Sequence, residues 1–418
     1  MQIMIQLAKF MNKKTLAIFI CVFLVSSCSG YKQDRFENLP PISPAKISEP
    51  SNSSPKIFKK KVKIAALLPL SGKNKDLGIA LLNSITISIF ENDQNHDIEI
   101  VVFDSEDIKK SAKQITAQNI TTVIGPVFTS NVKAFVRATK KEEITILSLS
   151  NNQDLIDIPN VFLMGFLPEQ QIERIVGYSI LLQKDQFAII APRNQYGRKL
   201  SEIMEQMVYR KDGIMITSQL YANSNKDLER VVSKAISSFV VAPEIENNKE
   251  TADEDKFYAN TILIPESGAS LAKIVKLIKK YNNSERDIQI IGTSNWDDVK
   301  TLEYPDLMGG WFTSADPKEY LSFKKRYQKT YDKLPPRIST IAYDATLAVI
   351  VALNKSEKRK LTADDFVNYE SQRNGFMGID GLFRFLPNGI VQRNFAILKI
   401  ENSEFAMIDS PNWFLFAY

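Results

Sequence analysis

The chain has very few of the residues on which most enzyme sites are built. It carries 2 cysteines and 1 histidine in 418 residues. Both cysteines, Cys21 and Cys28, fall within the first thirty positions. Downstream of them there is no disulfide, no cysteine-based metal site and no thiol nucleophile. One histidine excludes a two-histidine metal motif, and a Ser-His-Asp triad would have to use His96. That residue lies in the polar stretch Asn92-Asp93-Gln94-Asn95-His96-Asp97 and reads as a solvated loop position. No carboxylate or lysine pair sits at a spacing that specifies a reaction, so catalysis is not expected and no cofactor is implied. Strong charge is missing too. The formal net charge is +5, and removing residues 1–27 takes away Lys9, Lys13 and Lys14 and no acids, leaving +2. Nucleic acid is therefore not an expected partner. After the N-terminal region no apolar run is long enough to cross a membrane as a helix.

What is present begins with that N-terminal region. Lys13 and Lys14 precede the apolar run Leu16 to Val25, which is too short to span a bilayer, and Val25-Ser26-Ser27-Cys28 closes it. This is the layout of a secretory signal over residues 1–27. The small-small-Cys ending resembles a bacterial lipobox, in which the cysteine is acylated and becomes the first residue of the mature chain. Cys28 is the expected lipidation site. An ordinary cleaved signal, or an apolar anchor helix with Cys28 incidental, is the alternative. Met11 would make a more typical start than Met1.

Residues 28–61 follow as a tether. Pro40, Pro41, Pro44, Pro50 and Pro55 stand among serine, asparagine and charged residues with little apolar periodicity. Such a segment cannot bury enough surface to fold. At ~3 Å per residue it reaches on the order of 100 Å. The cluster Lys56, Lys59, Lys60, Lys61 and Lys63 at its end reads as a solvated domain edge.

From Val62 onward, short apolar runs alternate with amphipathic helical stretches. Repeated βα units call for parallel sheets covered on both faces. Their number, over about 350 residues, exceeds one ordinary core. The expected fold is α/β, with two doubly wound Rossmann-like lobes. The C-terminal portion breaks the alternation: two successive helices near Tyr320–Tyr331 and Thr340–Leu353 precede an expected β-hairpin. Its arms are Gly381–Phe385 and Asn394–Ile400, joined at Pro387-Asn388-Gly389. Late helices in one lobe and late strands in the other imply that the chain crosses between lobes more than once. Residues 243–256 read as a polar, acidic surface insertion.

Ligands of open parallel sheets collect at the carboxyl edge. Two strand ends there carry small polar residues, Ile124-Gly125-Pro126-Val127-Phe128-Thr129-Ser130-Asn131 and Ser148-Leu149-Ser150-Asn151-Asn152. Their hydroxyls and the free N–H groups of a helix start could hold a carboxylate. They could equally be ordinary helix caps.

Several segments resemble type I periplasmic binding proteins of the leucine/isoleucine/valine-binding group. These are Lys63-Ile64-Ala65-Ala66-Leu67-Leu68-Pro69-Leu70-Ser71-Gly72, Ile124-Gly125-Pro126 and Ile190-Ala191-Pro192 with Tyr196-Gly197-Arg198. More narrowly, Gly165-Phe166-Leu167-Pro168-Glu169-Gln170-Gln171-Ile172-Glu173-Arg174 and Gly292-Thr293-Ser294-Asn295-Trp296-Asp297-Asp298 resemble the bacterial penicillin-binding protein activators. The resemblance covers about residues 62 to 410. It implies a bilobal clamp with a three-strand hinge: 62–164 and 315–377 in lobe 1, 165–314 and 378–418 in lobe 2. In amino-acid-binding relatives a hydroxyl and backbone groups hold the substrate carboxylate, and Thr129, Ser130, Ser150 and Asn152 match those positions. Tyr196 matches the aromatic wall of the second lobe. Glu266, Asp297 and Asp298 are the candidates for an acid facing the ligand ammonium, and Trp296 either lines or fills the cleft.

Two functions follow from the resemblance. In the first, an outer-membrane lipoprotein reaches a peptidoglycan synthase and stimulates it, which suits the tether and Ser29, since an Asp after the acylated cysteine usually signals inner-membrane retention. The best-known activators also carry a helical-repeat domain ahead of the clamp, where this chain has the proline-rich tether. In the second, the protein delivers an amino acid to an ABC permease. Either way it sits in the cell envelope facing the periplasm, held to the membrane by a lipid anchor. Cys28→Ser should release the protein into the soluble fraction on membrane fractionation; unchanged envelope association would refute the lipid anchor.

Overall fold

The computed structural model describes residues 61–411, apart from 96, 141, 223, 240–259, 283–286, 357–359 and 369–374. The expected signal, Cys28, the tether, His96 and the 243–256 insertion lie outside the described residues.

The first lobe is built on five parallel strands: β1 (Val62–Leu68), β2 (Ile98–Asp104), β3 (Thr122–Ile124), β4 (Thr145–Ser148) and β5 (Val161–Leu163). Their spatial order is β2-β1-β3-β4-β5. That order reverses direction between β1 and β3, as in doubly wound folds. The strand β1 shows why the fold follows from the sequence. Ile64, Ala66 and Leu68 pack into the core on one face of the sheet, Ala65 and Leu67 into the core on the other. A strand buried on both faces reads as a continuous apolar run instead of an alternation. Helices α1 (Lys75–Asn92), α2 (Ile108–Ala117) and α3 (Thr129–Thr139) cover the faces.

The second lobe repeats the plan. Strands β6 (Gln186–Pro192), β7 (Ile214–Tyr221), β8 (Asn260–Leu263), β9 (Ile288–Gly292) and β10 (Trp311–Ser314) run parallel. Helices α4 (Pro168–Leu181), α5 (Gln195–Arg210), α6 (Asn225–Ser238) and α7 (Gly268–Tyr281) accompany them. In β6, Ala188 and Ile190 enter one core while Phe187, Ile189 and Ala191 enter the other.

The chain then returns to the first lobe. Helix α8 (Pro317–Tyr331) places Phe323 and Tyr327 against Ile87 and Tyr343. Helix α9 (Ser339–Lys355) lies across α1, where Ser88 Oγ donates to the Tyr343 carbonyl at 3.0 Å. A short helix α10 (Asp364–Val367) leads to a small antiparallel sheet of β11 (Phe376–Gly378), β12 (Gly381–Phe385) and β13 (Val391–Arg393). Finally β14 (Ala396–Glu401), antiparallel to β10, and β15 (Glu404–Asp409), antiparallel to β14, extend the second sheet, giving the order β15-β14-β10-β9-β8-β6-β7.

This end of the chain departs from expectation. Gly381–Phe385 pairs with Val391–Arg393, not with Asn394–Ile400, whose residues from Ala396 belong to the other lobe's sheet. Phe376, Phe383, Phe385, Val391 and Phe395 all lie in the first lobe's core. The last crossing therefore falls near Asn394-Phe395 and not at 378. Apolar residues continue on both sides of that crossing because both sides are buried, so periodicity does not mark it. The turn at Gly389 is fitted to the first lobe: φ is +87°, a Cβ there would meet the Val161 carbonyl at 2.3 Å, and Leu163 N–H donates to its carbonyl at 2.8 Å.

Phe385 ties this late sheet to the lobe. Its ring lies 5.0 Å from Phe162, 5.2 Å from Phe366 and 5.3 Å from Phe376, and it is fully buried. Phe385→Ala should lower stability by about 3–5 kcal/mol, read by chemical denaturation, and Phe385→Leu by distinctly less.

Candidate functional site

The two sheets point their carboxyl edges at a common cleft. A cavity of about 410 Å³ opens there, lined from the first lobe by residues after β3, β4 and β5 and from the second by residues after β6 and β9. Apolar walls come from Val127, Phe128, Leu149, Phe166, Ile338 and Ile341. The polar lining comprises Thr129, Ser150, Asn151, Gln171, Tyr196, Thr293, Ser294, Asn295 and Arg337. Among the described residues, no aspartate or glutamate lines this cavity.

The first-lobe edge is shaped by local hydrogen bonds. Ser148 Oγ donates to the Pro126 carbonyl at 3.1 Å and accepts from Ser150 N–H at 3.2 Å. These bonds bring Ser150 Oγ within 3.2 Å of Thr129 Oγ1, at the first residue of α3. Phe128, which precedes α3, offers no side-chain cap. The helix start, with its unpaired donors and positive dipole end, thus faces the cleft beside two hydroxyls. Gly165 permits β5 to turn beside this edge, since a Cβ there would meet the Ser150 carbonyl at 2.5 Å.

From the other lobe, Tyr196 projects into the cleft and remains 42 % exposed. Its hydroxyl accepts from Asn295 Nδ2 at 3.1 Å. Desolvation raises its pKa; the Asn295 bond opposes that rise and Glu266 adds to it. Gln171, 4 % exposed, organises the floor: its Oε1 accepts from Ser294 N–H at 2.8 Å, and its Nε2 donates to the Phe166 carbonyl at 3.3 Å.

Thr129, Ser150 and Tyr196 are therefore brought together across the cleft, while the other expected residues are not. Ser130 is exposed and does not line the cavity. Asn152 caps a short 3₁₀ turn, its Oδ1 accepting from Asp154 N–H at 2.9 Å, and Asn151 takes the lining position. Trp296 is fully buried inside the second lobe, donating from its indole N–H to the carbonyls of Ile264 and Glu266 at 3.2 and 3.0 Å. It fills the core and leaves the cleft open. Glu266 accepts from the Tyr221 hydroxyl at 2.5 Å. Asp298 is exposed and caps the Lys300 N–H at 3.0 Å.

Asp297 has the most consequential placement. Its Oδ2 accepts from Arg337 Nε at 2.8 Å and from Ser314 Oγ. Asp297, one of the three acids expected to face a ligand ammonium, is already paired with a cation of the protein. Arg337 Nη1 donates to Asp380 Oδ1 and to Thr340 Oγ1, both at 2.8 Å. Burial opposes the guanidinium charge, and Asp380 with Asp297 outweighs that penalty, so its pKa is raised. Behind this group lies a second buried pair, Arg393 Nη1 to Asp344 Oδ2 at 2.9 Å, with both side chains at most 1 % exposed. The other Asp344 oxygen accepts from Ile379 N–H at 2.7 Å, and Gly378 leaves room for it.

Sequence reasoning missed Gln171, Arg337, Asp344 and Asp380. Arg337 follows Pro335-Pro336 with no periodic context to flag it. Asp344 did carry a signal: it is the lone acid in the apolar helix α9. Among the described residues, no group of histidine, cysteine and carboxylate side chains is placed to hold a metal ion, and no helix is long and apolar enough to cross a membrane.

The hinge group sets three carboxylates against two guanidiniums. Desolvation, helped by Asp380 and opposed by Arg393, raises the Asp344 pKa from 3.8 to about 7. A carboxyl whose folded pKa exceeds its unfolded value binds more protons in the folded state. Its contribution is fully present below pH 3.8 and is lost as pH rises through about 7. Stability should therefore increase on acidification from pH 8 to 6, and Asp344→Asn should flatten that slope in urea denaturation. The single histidine leaves little else to titrate there.

Comparisons with known proteins agree with this geometry. The chain is 21 % identical over 353 residues to an uncharacterized protein of Rickettsia prowazekii, covering 84 % of this chain and 89 % of that one. Among solved structures it is similar to a putative branched-chain amino acid ABC transporter protein from Rhodospirillum rubrum. The TM-score is 0.70 and the identity 16 %, with 83 % of this chain and all of that one covered. It is also similar to the C-domain of LpoA from Haemophilus influenzae, a regulator of PBP1A. There the TM-score is 0.60 and the identity 17 %, with 83 % of this chain and 99 % of that one covered. At these identities the structural likenesses show a shared two-lobed fold. The periplasmic binding protein family pattern matches residues 61–404, and the chain belongs to that family.

Proposed function

We propose that this protein is a non-catalytic, lipid-anchored lipoprotein of the cell envelope that acts as a penicillin-binding protein activator, contacting a peptidoglycan synthase from the outer membrane and stimulating it. The observation that carries this reading is that, among the described residues, no acid lines the cavity beside Thr129 and Ser150, while Asp154, Glu169 and Glu202 line an adjoining cavity past Tyr196. An α-amino acid bound in the cleft would bury an ammonium, and a buried charge requires a partner. Asp297 is held by Arg337 and Glu266 by Tyr221. The fold likeness to the LpoA C-domain supports the same reading. So does the proline-rich stretch after Cys28, whose reach suits contact across the periplasm.

The second reading is a substrate-binding protein that delivers an amino acid to an ABC permease. It is favoured by one feature, the Thr129–Ser150 hydroxyl pair at the start of α3 facing Tyr196. A carboxylate held there would gain hydrogen bonds of about 1.5–3 kcal/mol each. Thr129→Ala would then weaken binding roughly tenfold or more.

Calorimetry with a panel of amino acids, next to capture of envelope proteins on the immobilised chain, separates the two. The activator reading expects no heat at millimolar ligand, recovery of a peptidoglycan synthase and faster glycan polymerisation when the protein is added to it. Micromolar binding of an amino acid, lost in Thr129→Ala, with no synthase recovered, would overturn it.

A further inference from the structure

We infer that Arg337 acts as a built-in ligand of the clamp, a cation from the first lobe that the second lobe's Asp297 grips in place of a substrate ammonium, so that the lobes are held together without a bound molecule. This goes beyond the proposed function and does not depend on it.

Arg337 belongs to the first lobe. It lies between α8 and α9, and its Nη1 is fixed within that lobe by Asp380 and Thr340. The guanidinium carbon sits 4.4 Å from the Tyr320 ring centroid and 5.4 Å from that of Phe166, which leaves it little freedom to turn away. Asp297 belongs to the second lobe, at the end of the segment that follows β9, with Trp296 buried beside it. Their 2.8 Å contact is, among the described residues, the one ion pair that joins the lobes. It is also shielded, the two side chains being 17 % and 11 % exposed. Arg337 lines the cavity and Asp297 does not, so the contact stands at the cavity wall, between the lobes.

A clamp gated by its ligand keeps complementary groups apart until the ligand bridges them. Here one bridging group is part of the chain. Moving the lobes apart would break a charge-assisted contact of 2.8 Å and leave the guanidinium with its first-lobe partners alone, so opening proceeds only by exchanging that contact for water. The lobe angle is thus set by the protein's own ion pair.

Amide hydrogen exchange on the full chain tests this. Asp297→Ala removes the second-lobe partner and leaves the Arg337–Asp380 pair intact, so both lobes keep their internal structure. Exchange should accelerate roughly tenfold or more in the cleft segments 149–151 and 293–295, with the central strands β1 and β6 unchanged. Arg337→Ala should accelerate exchange in the same cleft segments and also around Asp380, whose partner it removes, and millimolar methylguanidinium should restore cleft protection in that variant but not in Arg337→Ala combined with Asp297→Ala. Wild-type exchange rates in both cleft segments of Asp297→Ala would overturn the inference, because the pair would then not hold the lobes. Equal protection of the single and double variants by methylguanidinium would overturn it as well.

Discussion

The structure depends on a small group of buried charges where the chain passes between its lobes. Arg337 and Arg393 face Asp297, Asp344 and Asp380 in a region that water reaches poorly. Charges in such surroundings are tolerated only when each is paired and hydrogen-bonded. The pairing therefore dictates geometry. Asp344 must lie on the face of α9 that meets the β11–β12 turn, Asp380 must sit at that turn, and Arg393 must end β13. Each is supplied by a different late segment, so the group gathers α9 and the small third sheet onto the first lobe. Arg393 is fixed further by the ring of Phe383, 4.5 Å from its guanidinium carbon, and by its own N–H, which donates to Gln170 Oε1 at 3.0 Å. Gln170 lies on the first helix after the opposite crossing, so one residue's backbone links two passages of the chain.

That arrangement determines what the cleft can be. In each lobe the parallel order reverses beside the first strand, which opens a crevice at the carboxyl edge. Facing two such edges produces the cavity, and the crossings set how far apart they stand. The chemistry within is then a remainder: hydroxyls, amides and aromatic rings, with the lining charge of Arg337 already balanced by Asp297 and Asp380. Polar groups of this kind can hold a carboxylate or a neutral hydrogen-bonding ligand, but they offer no counter-charge to a cation.

Much of the fold was legible because buried parallel strands announce themselves as continuous apolar runs. Val62–Leu68 and Gln186–Pro192 are such runs, and the helices between them keep apolar faces. The late hairpin was not legible, since Phe395 and Ala396 are buried in different lobes yet adjacent in sequence. Hydrophobicity records that a residue is buried and carries no label for the core that receives it. The site divides in the same way. Thr129 and Ser150 could be found because strand ends that open a helix have a local signature. Trp296 could not be placed, because the choice between filling a core and lining a cleft rests on Gly292, whose missing side chain makes room for the indole 2.2 Å from where a Cβ would stand. Arg337 and Asp297 are 40 residues apart, and nothing local to either specifies the other.

The pairing of Asp297 with Arg337 acts on the cleft and on the lobes at once. This chain places Asp297 after the second-lobe strand β9 and the hydroxyls of Thr129 and Ser150 at the first-lobe edge. Placing a cation on the short connection before α9 satisfies that acid internally. Two outcomes follow from this single pairing, and they are physically inseparable. The cleft loses its counter-charge for an ammonium, and the lobes acquire a contact that holds them. A protein that must deliver a ligand is hindered by both, since it must discriminate, close and reopen. A protein that must present a constant surface to a partner is helped by both, because its exterior no longer varies with what the cleft contains. The same ion pair thus occupies the acid expected to meet an ammonium and sets the angle between the lobes.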